Sequence, residues 1–138
     1  MNKLKAILIA SLLCAPVFSQ AAEKNNYLGM GIGADLEGVG YAFMFQVQQS
    51  DKNAIGFAFH QGEILTFTVK NYSGNYAGST FYEYGFVIAA AQDAFLPAFA
   101  VGMDQPLSDT SMLSLTAGVG IGDIGVAPII RAAVMFKM

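Results

Sequence analysis

The sequence contains very little cysteine and histidine and few charged residues, which are the residues that often identify disulfide-rich, metal-binding or nucleic-acid-binding proteins. Its 138 residues include one cysteine, Cys14, and one histidine, His60. A single cysteine excludes an intramolecular disulfide, and an isolated histidine excludes the clustered His and Cys ligands of a zinc site. Charged residues make up 12% of the chain, about half the usual globular share. No basic patch suggests a nucleic-acid partner.

Long hydrophobic runs are also scarce, and the one run that stands out lies at the N-terminus. Two lysines within residues 1–5 precede an apolar stretch over 6–18, and Ser19-Gln20-Ala21 follows with small residues. This order is typical of a secretory signal peptide, and the run is shorter than the roughly 20 residues of a membrane helix. Leu13 stands before Cys14, where lipoprotein processing needs a small residue. We expect a signal peptide over 1–21 and one domain over 22–138.

The expected mature domain is rich in hydrophobic residues, but they are dispersed along the sequence and do not form one long run. Hydrophobic residues are 54% of the whole chain, yet no later run approaches the length of a membrane helix. Five lysines and arginines remain after residue 21 against ten carboxylates, which gives a net charge of 5 − 10 = −5. High hydrophobicity that is spread out in this way favours alternating strands.

Period-2 alternation predicts eight strands, at about 27–34, 38–49, 54–60, 63–70, 79–90, 97–103, 111–122 and 131–138. The second is the clearest, since one face carries Val39, Tyr41, Phe43, Phe45 and Val47. Its other face carries glycine, alanine, methionine and glutamine. The longest connections are expected at 71–78 and 104–110, at the end of the barrel that also holds both chain termini.

Side-chain volume decides which face of these strands is inside. An eight-stranded barrel is only just wide enough for ordinary side chains, so the large aromatic face does not fit in its interior. The opposite face has too few charges for a soluble surface. We therefore predict an all-β, eight-stranded, antiparallel, up-and-down transmembrane β-barrel, with the large apolar face toward lipid. A soluble lipocalin-like barrel or a β-sandwich is the alternative.

The C-terminal strand, 131–138, supplies a motif-like feature. Its order of polar, small and hydrophobic residues resembles the C-terminal assembly signal of bacterial outer-membrane proteins, with Ala133 where glycine is usual and Met138 where an aromatic residue is usual. The whole pattern resembles the small eight-stranded outer-membrane barrels of the OmpA and OmpX type. That resemblance implies the bacterial outer membrane, outer-membrane lipid and the barrel-assembly machinery as partners, and a monomer.

Four charged residues fall on the face assigned to the lumen: Lys70, Glu83, Arg131 and Lys137. Because unpaired interior charges are costly, we expect Glu83 to pair with Arg131, with Lys70 nearby. Such a pair is either a structural element of the core or a gate in a small pore. His60, near a strand end, is expected to be a polar residue of the lumen or rim. The sequence predicts no catalytic residue, no metal site and no cofactor.

Three functions remain open at this point. The first is a structural or interaction role in the outer membrane without catalysis. The second is a narrow channel or small-ligand-binding barrel, because glycine and alanine on the lumen face could leave a cavity. The third is a lipid-modifying enzyme, which would need a histidine, a serine and an acid together at the lipid face. Fold alone does not choose among them.

Overall fold

The computed structural model describes residues 25–35, 38–61, 63–74 and 79–138. The expected signal peptide and Cys14 lie outside these residues. The described chain forms eight strands: β1 (Asn26–Asp35), β2 (Gly38–Gln48), β3 (Asn53–His60), β4 (Ile64–Tyr72), β5 (Thr80–Ala89), β6 (Ala94–Ser108), β7 (Ser111–Gly122) and β8 (Gly125–Lys137). None of the described residues belong to a helix long and apolar enough to cross a membrane.

The eight strands form one closed barrel in which each strand pairs with its neighbour in sequence and β8 pairs with β1. All eight pairings are antiparallel. The barrel therefore has two ends. The terminal end is where β1 begins and β8 ends, and the distal end is where β1 ends and β8 begins. The predicted eight-stranded antiparallel fold is confirmed.

Alternation along the strands sorts side chains into the two predicted faces. On β2, Ala42 and Met44 are buried, whereas Tyr41 and Phe43 are 77% and 53% exposed. The glycines of the inner face also allow close approach between strands. At Gly85, for example, an added Cβ would collide with the Phe67 carbonyl oxygen of the paired strand. The small residues are thus inside because the barrel wall is tightly paired there.

The predicted bounds of the sixth and eighth strands need correction. The expected sixth strand, 97–103, runs from Ala94 to Ser108, so the connection predicted over 104–110 is only the turn at 109–110. Asp104 continues the inward alternation of β6 and is fully buried. The following residues pair with the start of β7, and the register shifts between Pro106 and Ser108. The last strand likewise begins at Gly125, six residues before the predicted start.

Candidate functional site: the barrel lumen

The middle and the terminal half of the lumen hold a network of buried polar side chains. Three strands provide carboxylates or ammonium groups that are at most 1% exposed: β4 with Lys70, β5 with Glu83 and β6 with Asp104. Arg131 on β8 is 7% exposed and completes two positive and two negative charges. Each of these residues takes an inward position in its strand. The four formal charges cancel, as a buried set requires.

Glu83 and Arg131 form the ion pair that the sequence predicted. Arg131 Nη2 donates to Glu83 Oε1 at 2.6 Å. Since β6 and β7 separate β5 from β8 in the barrel, the pair spans the lumen between facing walls. The second oxygen of Glu83 accepts a hydrogen bond of 3.0 Å from Thr68 Oγ1. The carboxylate is therefore paired through both oxygens, which reduces the cost of its burial.

Lys70 lies directly across the β4–β5 ladder from Glu83, but its ion-pair partner is Asp104. Lys70 Nζ is 3.4 Å from Asp104 Oδ2 and 3.4 Å from Ser114 Oγ. The same nitrogen lies 4.1 Å from the centroid of the Phe81 ring, within the range of a cation–π contact. Lys70 thus lies beside Glu83 in the ladder, while the carboxylate that it contacts belongs to Asp104.

Tyr72 extends this network toward the terminal end. Its hydroxyl donates to Asp104 Oδ2, and it accepts a hydrogen bond of 2.9 Å from Gln46 Nε2. Tyr72 and Gln46 are 5% and 1% exposed, respectively. The fourth charged residue expected in the lumen, Lys137, is instead exposed beyond these residues at the terminal rim. The polar network thus shares the terminal half of the lumen with a buried apolar cluster that includes Tyr27, Met112 and Met135.

His60 lies at the distal end, where β3 ends, and is 5% exposed. Its Nδ1 faces the carboxylate of Asp35, and its Nε2 is 3.0 Å from the Gly33 carbonyl oxygen. The structure thus places His60 inside the barrel, at the last residue of β3. The contact with Asp35 was not anticipated, because Asp35 was assigned to the β1–β2 loop.

An apolar cluster fills the rest of the distal half. It includes Ile64, Val87, Leu96 and Ile129, which are at most 5% exposed. Beside it lies a cavity of about 20 Å³, lined in part by His60, Thr66 and Arg131. Such a volume holds about one water molecule. In this half, the Leu96 and Val87 side chains lie over Gly120, and Leu96 lies over Gly122, so large inward residues occupy space that these glycines leave.

The outer face is apolar around the barrel. A row of five phenylalanines crosses β2 to β6, with successive ring centroids 6.3, 5.1, 5.2 and 4.8 Å apart. Its members are Phe45, Phe57, Phe67, Phe86 and Phe95. On the opposite wall, a cavity of about 800 Å³ is lined both by outward residues such as Ala117 and Ala132 and by inward residues such as Thr116 and Arg131. Nearly every outward position thus presents hydrocarbon.

The residues of a hydrolytic site are not brought together within the described chain. His60 is at the distal end, whereas Ser111 and Ser79 lie near the terminal end, and Ser114 contacts Lys70. Within the described ranges, no three His, Cys, Asp or Glu side chains are grouped so that they could hold a metal ion.

Sequence reasoning missed several members of the network, chiefly Asp104 and Tyr72. Asp104 is an even number of residues from the inward residues Ala98 and Ala100, so strand alternation could have predicted its inward position. Pro106 and the polar residues after Asp104 have the composition of a loop, which concealed it. Tyr72 similarly fell just beyond the predicted end of the fourth strand.

Comparison with known proteins supports the architecture. No protein-family model matches the chain, and no curated protein matches it. Two solved structures are similar in fold. One comes from work on the de novo design of transmembrane β-barrels, with a TM-score of 0.58, 12% identity, and coverage of 83% of this chain and 95% of that one. The other is the solution NMR structure of the de novo designed TMB2.3, with a TM-score of 0.58, 11% identity and coverage of 83% and 94%.

Proposed function

We propose that this chain is a small bacterial outer-membrane β-barrel with a structural or interaction role, acting neither as a catalyst nor as a channel. The observation that carries the proposal is the contrast between its two faces. Exposed aromatic and aliphatic side chains cover the outside, whereas the inside is closed by paired charges and an apolar cluster. A large apolar outer face suits lipid, as in membrane barrels.

The chain termini support this location. The apolar run at residues 6–18 is suited to secretion, and the order of residues over 131–138 resembles an outer-membrane assembly signal. We propose outer-membrane lipid as its surroundings and the barrel-assembly machinery as the partner that recognises β8. The barrel functions as a monomer in this proposal.

The proposal is tested by cell fractionation and by conductance. The protein should resist salt extraction, sediment with outer membranes and migrate differently on gels before and after boiling in detergent. A protein found soluble in the periplasm would contradict the membrane assignment. Purified protein in planar bilayers should give no stable single-channel currents, because paired charges and an apolar cluster occupy the lumen. Reproducible currents would instead favour the narrow channel.

A further inference from the structure

The cavity of about 800 Å³ is a groove in the outer face of the barrel and not a space in the lumen. The inward residues that line it are almost inaccessible, since Phe81 and Thr116 are 4% exposed and Arg131 is 7% exposed. The outward residues that line it include Ile32 at 60% and Ile130 at 55% exposure. A cavity exposes the side chains that face it, so this one opens on the outside of the wall.

Two neighbouring rows of outward side chains form the sides of the groove. The first row joins ladder partners from β6 through β7, β8 and β1 to β2, and its members are Val101, Ala117, Ile130, Ala34 and Val39. The second row runs beside it from Thr80 on β5 to Ile32 on β1. Residues between the rows, such as Arg131 between Ile130 and Ala132, point their side chains into the barrel and contribute their backbone. The floor of the groove is therefore backbone, and the alanines of both rows widen the space above it.

The groove climbs the wall from the terminal end. Thr80 is the first residue of β5, at the terminal end, whereas Val39 is the second residue of β2, which starts at the distal end. The path from β5 to β2 crosses five strand spacings, which amount to about 24 Å. Because ladder rows run perpendicular to the strands and the strands of membrane barrels tilt by about 35–45°, the groove rises by about 14–17 Å. That rise is close to half of the roughly 30 Å hydrocarbon core, which is the depth of one leaflet.

The groove is lined by hydrocarbon and has hydroxyl groups at its lower end. Among the described residues whose side chains face it, none is charged, and Thr80 alone carries a hydroxyl. Thr80 Oγ1 lies 2.8 Å from Ser73 Oγ, and both groups are exposed. A chain of methylene groups suits the apolar length, because it brings no polar group that would need a partner there. The two hydroxyls can donate to ester or phosphate oxygens at the terminal end.

A second copy of the barrel does not fit along this groove. Copies inserted in one membrane have the same orientation, and the rows of a barrel incline in the same direction wherever the wall is viewed from outside. A row on a facing copy, such as the ladder partners Phe45, Phe57, Phe67 and Phe86, would therefore cross the groove at about 70–90°, twice the strand tilt. Such a row meets the groove at one point, whereas a flexible acyl chain can follow its whole length.

We infer that the groove binds one acyl chain of a phospholipid from the leaflet at the terminal end. This inference rests on the proposed membrane location. The headgroup lies beside Thr80 and Ser73, and the chain passes over β6 and β7 to the seam between β8 and β1. A lipid held in this way contacts protein on two sides and beneath, so it leaves the barrel more slowly than the lipids around it.

The test is native mass spectrometry of the barrel released from dodecyl maltoside micelles that contain dimyristoyl phosphatidylethanolamine. The wild-type protein should retain one phospholipid. Ala117→Phe places a ring in the groove and should lower the fraction of barrels with bound phospholipid severalfold, and Ala132→Phe should do the same from the second row. Val119→Phe adds the same ring to the outer face of the same strand outside the groove, so it should retain the lipid as the wild type does. Heat-modifiable migration on gels verifies that each variant is folded.

Two results would overturn the inference. One is a folded wild-type barrel that retains no phospholipid, or folded variants in which Ala117→Phe and Val119→Phe retain it equally. The other is a dimer without bound lipid that Ala117→Phe converts to a monomer, since a second copy would then occupy the groove. Failure of the proposed membrane location is distinguishable, because it appears in the fractionation of the wild-type protein and does not depend on these variants.

Discussion

Removing either partner of the Glu83–Arg131 pair should destabilise the barrel substantially. Both side chains are buried, at 1% and 7% exposure, and they are joined at 2.6 Å across the lumen. Breaking such a pair from one side typically costs about 3–5 kcal/mol, because an uncompensated charge stays in the interior. Removing both partners should cost less than the sum of the two single losses.

The two single losses should also differ from each other. After Arg131→Ala, Glu83 keeps its hydrogen bond from Thr68 and lies across the ladder from Lys70, whose ammonium can turn toward it. After Glu83→Ala, the Arg131 guanidinium loses the carboxylate it contacts, and Asp104 is already bound to Lys70 and Tyr72. Glu83→Ala should therefore lie toward the upper end of about 3–5 kcal/mol and Arg131→Ala toward the lower end.

The assay is urea unfolding of the four proteins of the double-mutant cycle in lipid vesicles, with Ala58→Ser as a lumen control that removes no charge. A positive coupling free energy, on the order of 1–3 kcal/mol, would measure the pair within its network. Strictly additive losses would refute the reasoning, since they would mean that the two side chains do not stabilise each other. Conductance of the single mutants separately distinguishes a structural pair from a gate, because only the removal of a gate should raise the conductance.

Two further predictions concern the wall of the barrel. Phe43→Arg and Tyr84→Arg place a charge on the outer face, which should destabilise the folded barrel by about 2–4 kcal/mol near the bilayer midplane, whereas Ala58→Ser should have a small effect. Heat-modifiable migration on gels measures the folded fraction, and equal folded fractions in both groups would mean that the two faces are assigned backwards. The Gly85→Ser variant should fold poorly although serine is small and polar, because the serine Cβ would collide with the Phe67 carbonyl oxygen. A folding yield equal to that of the wild type would show that the β4–β5 pairing is looser than described.

The fold was predictable because period-2 alternation is a local signal. Tyr41 and Phe43 face outward and Ala42 inward regardless of the rest of the chain, and the volume argument then assigned each face. The Glu83–Arg131 pair followed because both residues hold inward positions and a buried charge needs a partner. These inferences needed only the alternation and the number of strands.

The contacts that were missed depend on register, which the sequence pattern leaves open. Asp104 meets Lys70 because β4 and β6 bring these positions to one height, and no pattern within either strand fixes that height. His60 faces Asp35 across β2, although β3 and β1 do not pair with each other. Strand ends were misjudged for a related reason, since Pro106 and its polar neighbours have loop composition while lying in a paired hairpin.

The seam between β1 and β8 has a consequence for how the protein is made. It joins Tyr27 to Lys137 and seven further residue pairs, so nearly the whole length of the described chain separates the two strands that close the barrel. Contacts so distant in sequence form slowly, because a long loop must be ordered before they contribute. Until the last strand arrives, the edges of β1 and β7 are unpaired and can join other chains. The edges of β1 and β7 therefore need protection from other chains until β8 closes the barrel.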